Sequence, residues 1–219
     1  MISPNFDDRS AGALVDHLVL HYTGMQSADA AKARLCDPAA KVSAHYLVEE
    51  NGSVLCLVPE QSRAWHAGVS YWRGVCGLND RSIGIELVNP GHELGYTPFP
   101  DRQIESLIRL CVGILARHPI PQRNVVGHSD IAPDRKRDPG EKFPWAILAK
   151  AGIGLWTDGK TESRDIVADL AAIGYDLSLN YFAVIAAFQR RFRPDWINGV
   201  PDEETQARAA AVRVLMDNN

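Results

Sequence analysis

The sequence lacks several features that would assign the protein to a class at once. No apolar run approaches the roughly 20 residues that cross a bilayer, and residues 1–10 have neither the basic start nor the apolar stretch of a secretory signal. No charge sign dominates, because 23 Lys and Arg residues face 27 Asp and Glu residues. The net charge of −4 gives no general electrostatic basis for binding nucleic acid or an anionic membrane. We expect a cytoplasmic protein by default, and a periplasmic one if it is exported by another route or its leader has been removed.

The cysteines form no C-x-x-C pair, which excludes a zinc ribbon and a thioredoxin-like redox motif. They are Cys36, Cys56, Cys76 and Cys111. Their wide spacing favours buried thiols, and two disulfides stay open if the protein is exported.

What the sequence does have is the composition of a folded globular protein, with 46% apolar and 23% charged residues. A length of 219 residues fits one domain with an appendage. The pattern of apolar residues predicts a main α/β domain over residues 1–158, with a mixed sheet covered by helices. A linker over 159–162 and a small all-α domain of three helices over 163–219 follow.

Apolar runs predict the strands of the main domain over residues 16–22, 43–49, 53–58, 82–88 and 124–128. Between the second and third strands, Asn51-Gly52 is a strong hairpin-turn signal. In the fourth strand, alternation places Ile83 and Ile85 on one face and Glu86 on the other.

The same reasoning predicts helices over residues 27–35, 101–117, 163–173, 180–192 and 202–216, the first of them capped by Ser27. Residues 59–81 show no clear period and are predicted to form a long loop.

Two histidines at strand ends suggest a metal site. His21 ends the first predicted strand, His128 ends the last, and Asp138 follows in a loop framed by Pro and Gly. Three such ligands leave a fourth position open for water, as in catalytic zinc sites, whereas structural zinc is usually closed by cysteines. Nitrogen and oxygen donors without a thiolate favour Zn²⁺ and also allow manganese or iron. We expect one Zn²⁺ per chain.

Several short segments, in order along residues 14–156, carry a family resemblance. They read LHYT (20–23), SAHYL (43–47), WHAG (65–68), SIGIE (82–86), GHSDIAP (127–133) and DPG (138–140). This series resembles the zinc-dependent N-acetylmuramoyl-L-alanine amidases of the amidase type 2 family, which share a fold with T7-type lysozyme and the peptidoglycan-recognition proteins. The resemblance implies hydrolysis of the amide that joins N-acetylmuramic acid to L-alanine in peptidoglycan or its muropeptide fragments.

The resemblance also implies roles for individual residues. It places the metal ligands at His21, His128 and Asp138, the general base at Glu86, and the cation that stabilises the oxyanion at Lys136. Weaker matches or loop positions make five further residues candidates for substrate contacts: His45, His66, Trp65, Trp72 and Asn89. Positioning roles or hydrogen bonds that orient the ligands are favoured for the two histidines. Anchoring of the loop is the alternative for the two tryptophans.

The C-terminal segment resembles the helical peptidoglycan-binding modules found beside wall hydrolases, through AFQ (187–189) and NGVPDEET (198–205). A plain stabilising bundle and an oligomerisation surface are the alternatives. For the whole protein, the alternatives to a muropeptide amidase are a recognition protein that binds peptidoglycan without cutting it and a wall hydrolase delivered to competitors. The expected partner in each case is peptidoglycan or its fragments.

Overall fold

A computed structural model describes residues 2–162 and 165–218 of the chain. Its strands are β1 (Phe6–Asp8), β2 (His17–Tyr22), β3 (Tyr46–Val48), β4 (Val54–Cys56), β5 (Ser62–Ala64), β6 (Tyr71–Trp72), β7 (Val75–Cys76), β8 (Ser82–Leu87) and β9 (Val125–Gly127). Its helices are α1 (Ala28–Cys36), α2 (Gly91–Leu94), α3 (Asp101–Arg117), α4 (His128–Ile131), α5 (Trp145–Lys150), α6 (Ile166–Ile173), α7 (Tyr181–Phe192) and α8 (Glu203–Asp217). The predicted α/β class is confirmed.

A five-stranded mixed sheet in the order β4–β3–β8–β2–β9 forms the centre of the molecule. β2 runs parallel to β8 and β9, β3 runs parallel to β8, and β4 is an antiparallel edge strand. The predicted hairpin joins β3 to β4. Gly52 in its turn has φ +88°, a left-handed conformation that glycine adopts at little cost.

One face of the sheet carries the aliphatic side chains that strand alternation predicts. Leu18 and Leu20 of β2 and Ile85 of β8 are fully buried there, in one cluster with Leu107 of α3. The boundaries of α3 are those predicted from its amphipathic pattern. This face is therefore occupied by core packing.

The opposite face packs against the C-terminal helices. Val19 of β2 and Val126 of β9 belong to one hydrophobic cluster with Leu170 of α6 and Phe188 of α7. The three helices therefore share a core with the sheet. The linker predicted at residues 159–162 stays a prediction.

Side-chain caps begin several of the helices, the predicted Ser27 among them. Ser27 Oγ accepts a hydrogen bond from the Ala30 N–H, and Asn180 and Asp202 cap α7 and α8 in the same way. The predicted start of α6 at Ser163 lies outside the described residues. No helix in residues 2–162 and 165–218 combines the length and apolar character needed to cross a membrane.

The segment 59–81, predicted to be a long loop, contains three short strands instead. β5 pairs antiparallel with β1, and β6 pairs with β7. Across the first pair, Asp7 accepts two hydrogen bonds from the Arg63 guanidinium. Strands of two or three residues are too short to show a period of two, which explains why the sequence pattern missed them.

The four cysteines are free thiols. Cys111 is buried, as expected, because it faces the core from α3. Cys56 and Cys76 are exposed, so the expectation of buried thiols is wrong for these two residues.

Because the sheet and the C-terminal helices share a core, a cavity made in α7 should destabilise both together. Phe188→Ala removes a fully buried ring and is expected to lower the free energy of unfolding by about 3–5 kcal/mol. The transition should stay single by both near-UV and far-UV circular dichroism in a denaturant titration, because sheet and helices share that core. Phe182→Ala, which truncates an exposed ring on the same helix, is the matched control with little effect. Equal effects of the two variants, or two separate transitions, would contradict the shared core.

Candidate metal centre

The parallel register of β2, β8 and β9 brings the candidate residues together at the carboxyl ends of these strands. β2 and β8 pair His21 with Glu86, and β2 and β9 pair Leu20 with Gly127. His128, directly after Gly127, therefore comes beside His21 at the carboxyl end of the neighbouring strand. His21 and Glu86 alternate with aliphatic residues that face α3, so they project from the opposite face.

Three donor atoms converge there. His21 Nδ1 lies 2.9 Å from His128 Nδ1 and 3.0 Å from Asp138 Oδ2, and His128 Nδ1 lies 3.1 Å from the same carboxylate oxygen. All three residues are buried, and they are the only group of three potential metal-ligating residues found in the described ranges. The structure thus places the three predicted ligands close enough to share one ion.

Electrostatics favours the protonation states that bind a metal. Burial, together with the neighbouring His128, lowers the pKa of His21 to about 4. Burial alone would raise the pKa of Asp138, but the neighbouring His128 and His21 hold it below its ordinary value. At neutral pH His21 is therefore neutral and Asp138 ionised, and these are the forms in which the two side chains act as ligands.

A hydrogen-bond chain fixes the tautomer of His21. Ser82 Oγ lies 2.6 Å from the Leu78 carbonyl oxygen and donates its proton there, because two acceptors at that distance would repel. Ser82 Oγ then accepts from His66 Nε2 at 3.1 Å, which leaves His66 Nδ1 as an acceptor. His21 Nε2 lies 3.1 Å from that nitrogen and carries the proton, so His21 Nδ1 has a free lone pair.

His128 is oriented in the same way by a backbone carbonyl. Its Nε2 lies 3.2 Å from the Ala67 oxygen and donates to it, so in the neutral ring Nδ1 carries no proton. Asn79 Oδ1 holds this segment by accepting from the N–H groups of His66 and Ala67, at 3.0 and 2.7 Å. The sequence reasoning missed Asn79 and the Ala67 carbonyl, because neither belongs to a residue pattern that signals chemistry.

The resulting arrangement is one that a divalent cation fits. Two unprotonated ring nitrogens and an ionised carboxylate oxygen face one another without a proton to share, and a cation would turn this repulsion into attraction. Metal-bound histidines typically donate their second N–H to a carbonyl or another acceptor, as both rings do here. The donor set contains no thiolate, which suits zinc in a catalytic rather than a structural site.

Glu86 and Lys136 line the same cleft, which has a volume of about 450 Å³. The Glu86 side chain is partly exposed, but its Oε2 is buried and makes no hydrogen bond within the described part of the chain. Burial, with a further contribution from the Asp138 charge, raises the pKa of Glu86 to about 8, while the Lys136 charge opposes this rise. Glu86 is thus a carboxyl group poised to exchange a proton near neutral pH.

The predicted substrate contacts divide into two groups. Trp65 and His66 line the cleft. Trp72 does not, because it is fully buried and donates its Nε1 hydrogen bond to the Arg123 carbonyl. The expectation that Trp72 contacts the substrate is therefore wrong, and this residue packs in the core.

His45 and Asn89 also lie away from the cleft surface. His45 is fully buried, accepts from the Gly84 N–H at 2.9 Å and lies 3.1 Å from the Ser62 carbonyl oxygen. Asn89 donates to the Thr97 carbonyl at 2.9 Å and organises the loop after β8. Their buried hydrogen bonds give both residues structural roles, which a sequence cannot distinguish from roles in binding.

Comparisons with known proteins give the family that the chain resembles. Residues 11–141 match the family described as N-acetylmuramoyl-L-alanine amidase. The chain is 43% identical to the N-acetylmuramoyl-L-alanine amidase AmiD of Escherichia coli K12, over 89% of this chain and 81% of that protein.

Two solved structures resemble the fold over most of both chains. The complex of E. coli AmiD with anhydro-N-acetylmuramic acid-L-Ala-D-γ-Glu-L-Lys has a TM-score of 0.84 and 38% identity, over 98% of this chain and 99% of that one. AmpDh3 of Pseudomonas aeruginosa in complex with anhydromuramic pentapeptide has a TM-score of 0.82 and 35% identity, over 96% of each chain.

The approach of His66 to β8 yields a prediction. A Cβ at Gly84 would lie 2.3 Å from His66 Cγ, so Gly84→Ala must displace a buried ring. We expect a loss of about 1–3 kcal/mol in the free energy of unfolding, typical of overpacking. Gly113→Ala in α3 is the control, because its Cβ meets only the end of the flexible Arg117 side chain at 3.2 Å, and it should be neutral or stabilising by up to about 1 kcal/mol. Urea denaturation measures both, and an unchanged Gly84→Ala would contradict the close packing of His66.

Proposed function

This chain belongs to the N-acetylmuramoyl-L-alanine amidase family and is an enzyme of that class, and we propose that it acts with one Zn²⁺ held by His21, His128 and Asp138. Its proposed reaction is hydrolysis of the amide between the lactyl group of N-acetylmuramic acid and L-alanine of the stem peptide. The proposed substrates are peptidoglycan or its muropeptide fragments. The named ligands of the AmiD and AmpDh3 complexes support the fragment class.

The hydrogen bonds at the far ring nitrogens carry the zinc proposal. Ser82, through His66, and the Ala67 carbonyl favour a proton on Nε2 of His21 and His128, which leaves the Nδ1 atoms that face Asp138 as lone-pair donors. Three such atoms within 3.1 Å of one another form a set that a cation would stabilise. When bound, such a cation acts as a Lewis acid that polarises the scissile carbonyl and makes water easier to deprotonate.

Glu86 is proposed as the proton carrier. It accepts a proton from the attacking water while the water oxygen bonds to the carbonyl carbon. It then returns that proton to the amide nitrogen as the carbon–nitrogen bond breaks, so the carboxylate is regenerated. The buried Oε2 of Glu86 makes no hydrogen bond to any other described residue, so this oxygen is free to accept the proton and to return it.

Lys136 is proposed to stabilise the carbonyl oxygen as negative charge develops on it. It lines the cleft with Glu86, His128 and Asp138. Its positive charge lowers the pKa of both His21 and Glu86. An ammonium group placed there gains interaction energy as the tetrahedral state forms, which is the differential binding that accelerates a reaction. Arg34 and Arg137 add positive charge to the same cleft, where the carboxylates of a stem peptide would be attracted.

The residues that the resemblance assigns to cleavage are all present, which argues against the alternative of a non-catalytic recognition protein. They are His21, His128, Asp138, Glu86 and Lys136. Wall binding by the C-terminal helices stays a prediction.

The proposal predicts a separation of metal binding from turnover. Asp138→Ala removes a ligand and is expected to lose both the zinc and the activity. Glu86→Gln keeps the ligands, so it should retain about one zinc per chain while kcat falls about 10²–10⁴-fold. Asp134→Asn, an exposed carboxylate on the same loop, is the control that should keep both.

Elemental analysis after gel filtration gives the zinc content, and chromatography of a digested anhydro-muramyl tripeptide gives kcat. Full turnover by metal-free Asp138→Ala would rule out the metal mechanism. An unchanged rate in Glu86→Gln would remove Glu86 from it.

A further inference from the structure

A buried carboxylate next to the candidate metal site is held by the C-terminal helices. Asp130 lies in α4, two residues after His128, and is 1% exposed. Its Oδ2 accepts from the Gly127 N–H at 2.8 Å and from Arg191 Nη1 of α7 at 2.7 Å. Its Oδ1 accepts from the hydroxyl of Tyr175, which follows α6, at 2.8 Å. Two side chains of the C-terminal segment thus supply partners for one carboxylate of the sheet domain.

Arg191 reaches further into the sheet domain. It is 2% exposed, and its Nη2 donates to the carbonyl oxygens of Val125 and Leu155, both at 3.1 Å. Its guanidinium also lies over the Trp145 ring, 4.0 Å from the centroid. The Arg191 guanidinium therefore contacts both elements that meet at His128. It binds β9 directly and binds α4 through Asp130.

The backbone on both sides of His128 depends on these contacts. Asp130 fixes the Gly127 N–H, and the Ser129 N–H donates to the Asp138 carbonyl at 2.8 Å. Removing Arg191 would leave Asp130 buried without its charge partner, a state that proteins relieve by turning the carboxylate toward water. That movement weakens the hold on Gly127 and frees the turn that presents the imidazole.

We propose that Arg191 and Tyr175 are positioning residues that set the metal affinity of the site, because they hold Asp130 and thereby the turn that carries His128. This inference rests on the proposed zinc site. It gives the C-terminal helices a role in the chemistry, in addition to any contact that they make with the cell wall.

If the Arg191–Asp130 ion pair only stabilised the fold, its loss would lower stability without changing the affinity for zinc. A second buried arginine serves as the control that distinguishes this role from a positioning role. Arg208 of α8 is also buried and donates to the carbonyls of Thr157 and Phe192 at 3.2 Å, but it makes no hydrogen bond to Asp130. Arg208→Met should therefore destabilise the chain while leaving the site geometry intact.

The test uses the full-length chain and its Arg191→Met, Tyr175→Phe and Arg208→Met variants. Chelator competition measures the Kd for Zn²⁺, and circular dichroism at the same temperature confirms that each variant is folded. Arg191→Met should raise the Kd about 10–100-fold, the range seen for residues that orient metal ligands. Tyr175→Phe, which loses one hydrogen bond, should raise it about fivefold. Arg208→Met should stay within about twofold of the parent, despite a lower denaturation midpoint.

Folded Arg191→Met with the parent Kd would overturn the inference, as would an equal loss of affinity in Arg208→Met. If Arg191→Met does not fold, Tyr175→Phe decides in the same way, because it removes only a hydroxyl. The parent protein separates the two claims: a parent that binds no zinc overturns the proposed function and this inference with it, whereas a parent that binds zinc with unaffected variants overturns the inference alone.

Discussion

The site depends on three hydrogen-bond acceptors that face one another with no proton between them. His21 Nδ1, His128 Nδ1 and Asp138 Oδ2 lie within 3.1 Å of each other, and in a protein interior such an arrangement is unfavourable unless a cation is present. The strands and hydrogen bonds around the site keep these three atoms in place. The parallel register of β2 with its two neighbours sets the positions of both rings, and hydrogen bonds at the far nitrogens set their tautomers.

Close backbone approach is part of this construction. A Cβ at Gly84 would overlap the His66 ring, and a Cβ at Gly127 would lie 2.7 Å from Pro139 Cδ, next to Asp138. Both glycines therefore act through the space that they leave rather than through unusual backbone angles. This explains why glycine occurs inside β8 and at the end of β9, in strands whose other positions are mostly filled by packed side chains.

The sequence predicted those parts of the molecule that have a local signature. Strand alternation placed Glu86 opposite the aliphatic face, helical periodicity gave the exact bounds of α3, and the motifs placed three ligands that the structure brings together. Nothing local marks Arg191, which looks like one of two basic residues at the end of an amphipathic helix. Its partners are 61 residues away at Asp130 and 66 at Val125, so only the fold reveals its contacts.

The errors have a related cause. Trp72 is of a residue type that occurs both in binding sites and in cores, and burial alone separates these roles. The short strands between residues 59 and 81 are stabilised by partners distant in the sequence, such as β1, so periodicity could not detect them. Prediction from the sequence was thus most accurate for helices and strands in which the apolar residues recur with the period of the element that they form.

The tautomers of His21 and His128 test the central claim most directly. A long-range ¹H–¹⁵N correlation spectrum of ¹⁵N-labelled, zinc-loaded protein reports which nitrogen of each ring carries the proton and which binds the metal. We expect a protonated Nε2 and a metal-bound Nδ1 in both rings. A proton on Nδ1 of either ring, or zinc bound through Nε2, would contradict this account of how the site is built.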